Sequence, residues 1–551
     1  MIDRIIAWSA KNGFLVMLAV LLLMAWGGWA LVHTPLDAIP DLSDVQVIVY
    51  TEWEGRSPDL IEDQITYPVI TSMLGAPRIK SVRGQSFLGV SFVYIIFEDG
   101  TDIYWARSRV VEYMQGLSGK LPEGIAPRLG PDATGVGWVF EYALVDESGR
   151  HDLAELRSFQ DWHLRYWLQS VPGVAEVASI GGFVKQYQVH VDPNKLLGYH
   201  LSLKQLIDAI RQSNNDVGGR VLEVNEREYM VRGRGYIQSL EDIRQIAVTT
   251  DPRGTPITVR DLALVTLGPD MRRGVAEFDG RGETVGGIVI MRHGDNALAV
   301  IERIKAKLTE ITPSLPSGMS IIPVYDRSQL ILAAIATLKE KLLEVTIAVS
   351  LVSLVFLFHL RSALVAILIL PVAILLSFLA MFYLGISSNI MSLAGIAIAI
   401  GAMVDAAIVM IENAHKRLEQ WERAGRPGSR VTVIVHAAQE VGKPLFVSLL
   451  IITISFLPIF TLEAQEGRLF KPLGVTKTTA MLFAAIVSIT LAPLLMVWLL
   501  KGTIRPEENN PINRLLLHLY RPLVAGALHV RWVVVILAVL TPIYDLTNVI
   551  G

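Results

Sequence analysis

The stretch GAMVDAAIVMIEN, residues 401–413, places an aspartate, Asp405, inside a long apolar run and a glutamate, Glu412, near its end. An ionisable side chain at membrane depth costs at least about 2.5–3.5 kcal/mol on insertion scales. Because desolvation favours the neutral form of a carboxyl group, Asp405 is predicted to bind and release a proton within a membrane. The alternative is that Asp405 faces a water pocket or caps a kink. Glu412 lies beside His415 and Lys416, so a surface role suits it as well as a role in a proton relay.

The spacing within this stretch predicts a helix with two different sides. At about 100° per residue, positions seven apart nearly coincide, so Met403 and Met410 share one stripe while Asp405 and Glu412 share another, roughly 200° away. Methionine commonly fills cores. Its soft thioether nevertheless suits Cu(I) or Ag(I) better than Zn(II) or Mg(II).

Composition excludes an ordinary soluble protein and several kinds of chemistry. The 551 residues are 52% hydrophobic and 18% charged, with a mean hydropathy of +0.45. There is no cysteine, which excludes disulfides and thiolate metal sites. The net charge of -3 gives no electrostatic reason to expect a nucleic-acid partner. The string GLSGKL at 116–121 lacks the spacing of a phosphate-binding loop, and no Asp-Lys dipeptide occurs, so proton coupling is favoured over an ATP-driven pump.

The apolar residues are unevenly distributed along the chain. Gly13 to Val32 is an uncharged run of 20 residues, which is enough to cross a hydrocarbon core of about 30 Å. We interpret it as a retained first span and not as a cleaved signal peptide, with a long uncleaved signal as the alternative. Six further apolar runs follow a long polar region: Lys341–Leu360, Ala363–Leu384, Ile390–Asn413, Leu445–Leu462, Thr478–Leu500 and Trp532–Ile550.

These runs predict a membrane α-helical bundle of about seven spans with a large α+β region inserted after the first. Basic residues concentrate in the loop after the fourth span, which is therefore predicted to be cytoplasmic. The insert and the stretch Glu463–Lys477 are then external. The predicted regions are 1–33 (cytoplasmic N-terminus and first span), 34–340 (periplasmic porter region), 341–501 (spans two to six), 502–531 (cytoplasmic amphipathic linker) and 532–551 (seventh span).

Within the insert, strands alternate with helices in a pattern that recurs. Strands are predicted at 45–51 and 89–97, with helices at 58–74 (capped by Ser57) and 101–117 (opened by Asp102). The order recurs with strands at 139–145, 174–180 and 185–191 and helices at 153–168 and 203–213. We interpret this as two ferredoxin-like subdomains of the split βαβ type, followed by a third module from about 217 to 330.

Several long motifs resemble one transporter family. They are TPLDAIPDLSDVQVIV (34–49), FEDGTDIYWARSRV (97–110), LGPDATGVGWVFEYALVD (129–146), VYDRSQLI (324–331), MVDAAIVMIENAHKRLE (403–419) and FTLEAQEGRLF (460–470). In these the chain resembles the heavy-metal efflux branch of the resistance-nodulation-division transporters. The resemblance implies a homotrimeric proton antiporter of the Gram-negative inner membrane, which works with a periplasmic adaptor (membrane fusion) protein and an outer-membrane channel.

The same resemblance implies roles for individual residues. Asp405 matches the proton-relay aspartate of the family. The methionines that match a proposed metal path are Met271, Met391, Met403, Met410, Met481 and Met496, with Met410 expected to pair with Met496 and Met403 with Met481. Relatives that export divalent ions carry an acidic residue where this chain has Ala399, which favours Cu(I) or Ag(I) as the transported ion. No resident cofactor is expected.

Family members are about twice as long as this chain, with twelve spans built from two similar halves. The chain is therefore expected to be an N-terminal half, truncated or split from its C-terminal partner. The missing half would hold the cleft of three methionines and the partner carboxylate and lysine of the relay. Three alternatives stay open: a divalent-cation (Zn/Co/Cd) exporter, an intramembrane aspartyl hydrolase that pairs Asp405 with Asp545, and a non-transporting fragment that competes for trimer assembly.

Overall fold

The computed structural model describes residues 1–272, 274–357, 360–501, 511–538 and 540. The chain forms two compact units. Unit one contains Met1–Gly137, Arg292–Ile301 and the described residues from Arg327 onward. Unit two contains Trp138–Met291 and Glu302–Asp326.

Unit one begins with two helices, α1 (Ile2–Lys11) and α2 (Gly13–His33). Helix α1 is amphipathic, with Ile6 buried and Trp8 exposed. Helix α2 confirms the predicted apolar run, and most of its side chains are exposed in the isolated chain. An apolar helix of 21 residues with an exposed surface is what a bilayer accommodates.

A four-stranded antiparallel sheet follows in unit one. Its elements are β1 (Gln46–Glu52), α3 (Pro58–Ile61), α4 (Tyr67–Met73), β2 (Ile79–Phe87), β3 (Val90–Phe97), α5 (Ile103–Gln115) and β4 (Arg128–Leu129). The strand order is β2-β3-β1-β4. The inward side chains of β1 pack in one core with side chains of α3, α4 and α5. Strand β2 was not among the predicted strands. Asp102 caps α5 as predicted, accepting from the Trp105 N–H at 2.7 Å, whereas the Ser57 side chain makes no capping bond.

Unit two contains a second sheet and an inserted module. Its elements are β5 (Trp138–Asp146), α6 (Leu153–Phe159), α7 (Arg165–Gln169), β6 (Val174–Gly181), β7 (Lys185–Val191), α8 (Pro193–Gly198), α9 (Leu203–Ser213), β8 (Val217–Val224), β9 (Arg227–Gly233), α10 (Leu240–Arg244), β10 (Ala247–Thr250), β11 (Pro256–Thr258), α11 (Val259–Leu262), β12 (Ala263–Pro269), β13 (Val285–Met291), α12 (Ala297–Ile311) and β14 (Met319–Asp326). The sheet order is β14-β5-β13-β6. In both sheets the first strand lies between the fourth and the third.

The prediction that β7 continues the second repeat is wrong. Strand β7 pairs with β12 instead, and the sheet that contains β5 and β6 is completed by β13 and β14. Gly181 and Gly182 have positive φ angles, which lets the chain leave the sheet immediately after β6. The predicted third module at 217–330 is also divided, because its last strands return to the second sheet. Strand pairing between distant segments leaves no local periodic signal.

The remaining helices of unit one are long and mostly apolar. They are α13 (Arg327–Leu357), α14 (Leu360–Tyr383), α15 (Ile390–Arg423), α16 (Arg430–Ser455), α17 (Ala464–Leu499) and α18 (Pro511–His529). Among the described residues, five helices are long and apolar enough to cross a membrane: α2, α14, α15, α16 with the turn that extends to Thr461, and α17. A helix pair bent by 88°, Arg514–His529 with Arg531–Ala538, would make a sixth. The total of seven spans stays a prediction, and the end of the predicted seventh span, with Asp545, lies outside the described residues.

The stretch Glu463–Lys477, predicted to be exposed and external, is helical from Ala464 and buried in part, and its external position stays a prediction. Helix α17 already begins at Ala464, and Lys477 is only 9% exposed. Its Nζ atom lies 3.1 Å from the centroid of the Phe456 ring. A cation can lie over an aromatic face while its stem packs among apolar groups, so a lysine need not mark a loop.

The sheet of unit one is tied to the start of α17 by Arg468. Its guanidinium donates to the Leu42 carbonyl at 2.9 Å and forms ion pairs with Asp44, at 3.0 Å, and with Asp99. The hydrogen bond from Arg468 is the main cause that lowers the pKa of Asp99 below its usual range. Both carboxylates are exposed enough for water to screen these pairs.

Helix α15 packs closely against α17 at Gly395. A Cβ atom at this position would lie 2.7 Å from the Leu473 carbonyl oxygen and would also collide with the Thr476 hydroxyl oxygen. Gly401, six residues further along α15, has open space where a Cβ atom would lie. The two glycines therefore differ in what a methyl group would meet.

We expect Gly395→Ala to destabilise the helical bundle by about 1–3 kcal/mol, because overpacking forces the backbone of α17 to move. Thermal unfolding of the detergent-solubilised chain measures this. Gly401→Ala is the matched control, and we expect it to leave the unfolding temperature unchanged or slightly raised. Equal melting temperatures for the two variants would show that the α15–α17 contact is not tight at Gly395.

Candidate functional site

The start of α15 is fixed by a reciprocal cap. The Asn389 side chain accepts from the Ser392 N–H at 2.9 Å, and the Asn389 N–H donates to the Ser392 hydroxyl at 2.8 Å. Both residues are buried. Such a capping box satisfies helix-terminal donors that would otherwise have no partner inside protein. Together with the contact at Gly395, it sets which side of α15 faces its neighbours.

The inward side of α15 carries two of the predicted methionines. Met403 is 1% exposed and Met410 is fully buried. Met403 shares one buried cluster with Met481 of α17, and Met410 shares another with Met496 of α17. The structure thus brings each predicted pair into a common cluster, one thioether from each helix. Ala399 belongs to the same cluster as Met403 and Met481.

The opposite side of α15 carries both predicted carboxylates. Asp405 and Glu412 are exposed, together with Ala397, Ile398 and Gly401. We call this surface the carboxylate stripe. Its separation from the buried methionines is the two-sided arrangement that the seven-residue spacing predicts.

The two other predicted methionines lie elsewhere. Met391, at the start of α15, is partly buried. Met271 belongs to unit two and is 56% exposed. Neither is a member of the two buried clusters that hold the methionine pairs.

Sequence reasoning missed a buried polar pair between α14 and α15. The Nε2 atom of His415 lies 2.6 Å from the hydroxyl oxygen of Ser362, and both residues are buried. The signal available in the sequence was the position of His415 on the same helical face as Ile411 and Leu418, which are core residues. A serine at the start of an apolar helix gives no comparable signal.

Oxygen and imidazole ligands do not form an obvious alternative site. Within the part of the chain that the structure describes, no three His, Asp or Glu side chains are grouped as a metal ion would require. The candidate ligands in the buried clusters shared by α15 and α17 are methionine thioethers, a ligand type that suits soft monovalent cations.

Comparison with known proteins places this architecture among transporters. A model of the AcrB/AcrD/AcrF family matches residues 5–550. The chain is 54% identical over 559 residues to the cation efflux system protein CusA of Escherichia coli strain K12, covering 100% of this chain and 53% of that protein. It is 53% identical to the putative cation efflux system protein SilA of Salmonella typhimurium, again over 100% of this chain and 53% of that protein. It is 38% identical to the cobalt-zinc-cadmium resistance protein CzcA of Cupriavidus metallidurans, over 92% of this chain and 48% of that protein.

Solved structures give the same result. Two crystal forms of a heavy-metal efflux pump match with TM-scores of 0.77 and 0.78 at 31% sequence identity. Each match covers 90% of this chain, but only 49% and 48% of the matched chains. The chain thus spans about half the length of the relatives that it matches.

Proposed function

Because this chain belongs to the AcrB/AcrD/AcrF family of efflux transporters, we propose that it forms the first half of a proton-driven exporter of Cu(I) or Ag(I). The observation that carries the proposal is the two-sided helix α15. It holds thioethers in the protein interior and a carboxylate on the carboxylate stripe. One helix could then link movement of a soft cation to movement of a proton.

The metal path uses the methionine clusters. Met403 and Met410 are seven residues apart, so the two clusters lie about 10 Å apart along the axis of α15. Met481 and Met496 supply the second thioether of each pair, and Met391 and Met271 extend the path. A thioether is neutral and holds a monovalent ion without a charge partner, which allows release as well as binding.

The proton path that we propose uses Asp405, and Glu412 is the second carboxylate on the same stripe. A charged group facing lipid is costly, so the carboxylate stripe is covered by protein or water when the transporter is complete. Ala397 and Gly401 lie four residues apart on this stripe, a spacing that lets a second helix approach closely. We assign that helix to the other half of the transporter, which would also supply the partner carboxylate and lysine.

Ala399 distinguishes this proposal from export of divalent ions. It lies in the cluster of Met403 and Met481, at the position where divalent exporters are expected to carry an acidic residue. Zinc, cobalt and cadmium exporters such as the CzcA relative are the second candidate class, because that protein also matches over most of the chain. The sequence identity to CusA and SilA is higher than the identity to CzcA, which supports export of a monovalent ion.

The assembly that we propose is a homotrimer in the inner membrane of a Gram-negative cell, with a periplasmic adaptor and an outer-membrane channel. The periplasmic region would contain two ferredoxin-like subdomains, which the shared strand order of the two sheets supports. The hairpin β8–β9 supports contact between copies. Every residue in its two strands is exposed, including Leu222 and Tyr229, and a lone hairpin is marginal in water.

The proton role of Asp405 predicts loss of transport in Asp405→Asn. The test uses a chimera in which residues 1–551 replace the matching half of E. coli CusA, reconstituted into vesicles with a pH gradient. We expect silver export by the parent chimera and none by Asp405→Asn, because an amide cannot carry the proton. Silver export by Asp405→Asn at the rate of the parent chimera would contradict the proton-relay role of Asp405.

Two comparisons separate the alternatives in that experiment. Glu412→Gln tests the second carboxylate at the end of the same stripe, and retained export would restrict the relay to Asp405. Expression of the 551-residue chain with and without a separate second half tests the alternative that the chain is a non-transporting fragment. Export by neither the chimera nor the paired halves would overturn the proposed function.

The methionine path predicts a metal-specific defect in Met403→Leu and Met410→Leu. Leucine conserves volume, so we expect each change to cost less than about 1.5 kcal/mol of stability. Cells that carry these variants of the chimera should lose silver tolerance without any change in zinc tolerance. Met381→Leu is the matched control, because Met381 is buried in the cluster of Met403 but is not a predicted ligand. Unchanged silver tolerance would indicate that Met403 and Met410 only fill the core.

The trimer predicts that the exposed hairpin carries an interface. Leu222 and Tyr229 are partners across β8 and β9, and we expect Leu222→Lys with Tyr229→Lys to convert a three-copy particle into single copies. Mass measurement of the detergent-solubilised chain decides this. The core of the surrounding module excludes both residues, so its folding should not change. A three-copy particle in the double variant would place the interface elsewhere.

A further inference from the structure

The segment that follows α2 is bonded to the turn that precedes α15. The Asp37 N–H donates to the Ser388 carbonyl at 3.1 Å, and the Ser388 N–H donates to the Pro35 carbonyl at 2.8 Å. The Ile390 N–H donates to the Ala38 carbonyl at 3.1 Å. Three backbone hydrogen bonds between two short segments leave little freedom for one to move without the other. The exit of α2 and the first residue of α15 thus form one rigid element.

An ion pair between a buried arginine and a partly buried aspartate joins this element to the start of α13. Arg327, the first residue of α13, is 3% exposed, and its Nη2 atom lies 2.8 Å from Oδ1 of Asp37. Its Nη1 atom donates to the Val136 carbonyl. The same Asp37 oxygen accepts from the Ala38 N–H at 2.6 Å. Burial raises the pKa of Asp37 above its usual range, and the nearby Arg327 charge opposes that rise.

Arg327 stands at a junction between the two units. The chain passes from unit two into unit one between Asp326 and Arg327, and from unit one into unit two just after Gly137. The groups that Arg327 binds, on Asp37 and Val136, belong to unit one. The Arg327 guanidinium therefore contacts the unit-one side of two of the four points at which the chain crosses between the units, and it is linked through Asp37 to the start of α15.

We propose that Arg327 and Asp37 are positioning residues that transmit movement of α15, the helix carrying Asp405, to the junctions of unit two. This inference rests on the proposed function, because it assigns a mechanical link to the same transport cycle. Neither residue contacts the transported ion or the proton-carrying group. Apolar contacts are non-directional and allow sliding, whereas a buried guanidinium held by a carboxylate and a carbonyl has few alternative positions. A shift at the start of α15 thus carries Asp37 and Arg327 with it.

A second ion pair at another junction serves as a matched control. The Nε atom of Arg292 lies 2.8 Å from Oδ2 of Asp132, and the His293 N–H donates to the Asp132 carbonyl at 2.9 Å. The Arg292 side chain is nearly half exposed. None of these bonds involves the turn before α15. Arg292→Met therefore removes a junction ion pair without removing the link to α15.

Hydrogen exchange on the detergent-solubilised full chain tests the link without requiring transport. In Arg327→Met and in Asp37→Asn we expect the amides of Asp37, Ser388 and Ile390 to exchange about tenfold faster or more, because local opening no longer breaks an ion pair. In Arg292→Met these amides should exchange as in the parent chain. Asp37→Asn is the milder change and keeps the test open if Arg327→Met fails to fold. Unchanged exchange at 388–390 in both variants would overturn the inference.

Transport by the chimera in vesicles provides the second readout. We expect Arg327→Met and Asp37→Asn to lower the maximal rate of silver export per folded transporter by about tenfold, without changing the silver concentration at half-maximal rate. Arg292→Met should retain the parent rate. A residue with only a structural role would reduce the amount of folded transporter but not the rate of each molecule, and that result would count against the link. A parent chimera that exports no silver would instead contradict the proposed function.

Discussion

The close contact of α15 with α17 at Gly395 is the constraint on which the candidate site depends. The backbone of α17 occupies the space that any side chain at this position would need. The capping box at Asn389 and Ser392 fixes the start of the same helix. With its start and one contact point set, α15 has one rotational setting, and residues spaced by seven keep their sides along its length. The methionines then lie in buried clusters that include residues of α17, and the carboxylates lie on the exposed side of α15.

The exposed surfaces of unit one fall into two physical classes. Helix α2 exposes apolar side chains such as Phe14, Leu21 and Leu22, and such a surface is stable against lipid. The carboxylate stripe of α15 exposes Asp405 and Glu412 among small residues, and lipid cannot solvate such a surface. The first surface needs only a bilayer, whereas the second needs protein or water. This difference agrees with a chain that spans about half the length of its relatives.

Local pattern was sufficient wherever one segment determines its own structure. The uncharged run predicted α2, and the seven-residue spacing predicted both sides of α15, because a helix shows its environment in its own periodicity. The sequence pattern did not predict structure that depends on a partner distant in the sequence. Strand β7 has the alternation of a sheet strand, but nothing in it specifies β12 as the neighbour. Lys477 has the charge of a loop residue, yet the ring of Phe456 accommodates it inside the bundle. Arg327 and Asp37 are adjacent in space and far apart in sequence, so no spacing rule could join them.

Two arginines attach the sheet region of unit one to the long helices, and their environments make the attachments unequal. Arg468 at the start of α17 pairs with Asp44 and Asp99, whose carboxylates are partly exposed to water. Water screens such ion pairs and can replace them, so the attachment through Arg468 is the weaker of the two. Arg327 at the start of α13 is enclosed, and opening its pair with Asp37 would leave a buried charge without a partner. When the long helices move, the region around Asp37 and Val136 therefore follows α13 and α15 more closely than it follows α17. The stiffer attachment is therefore the one on α13, which is bonded through the Asp37 segment to the start of α15, the helix that carries Asp405.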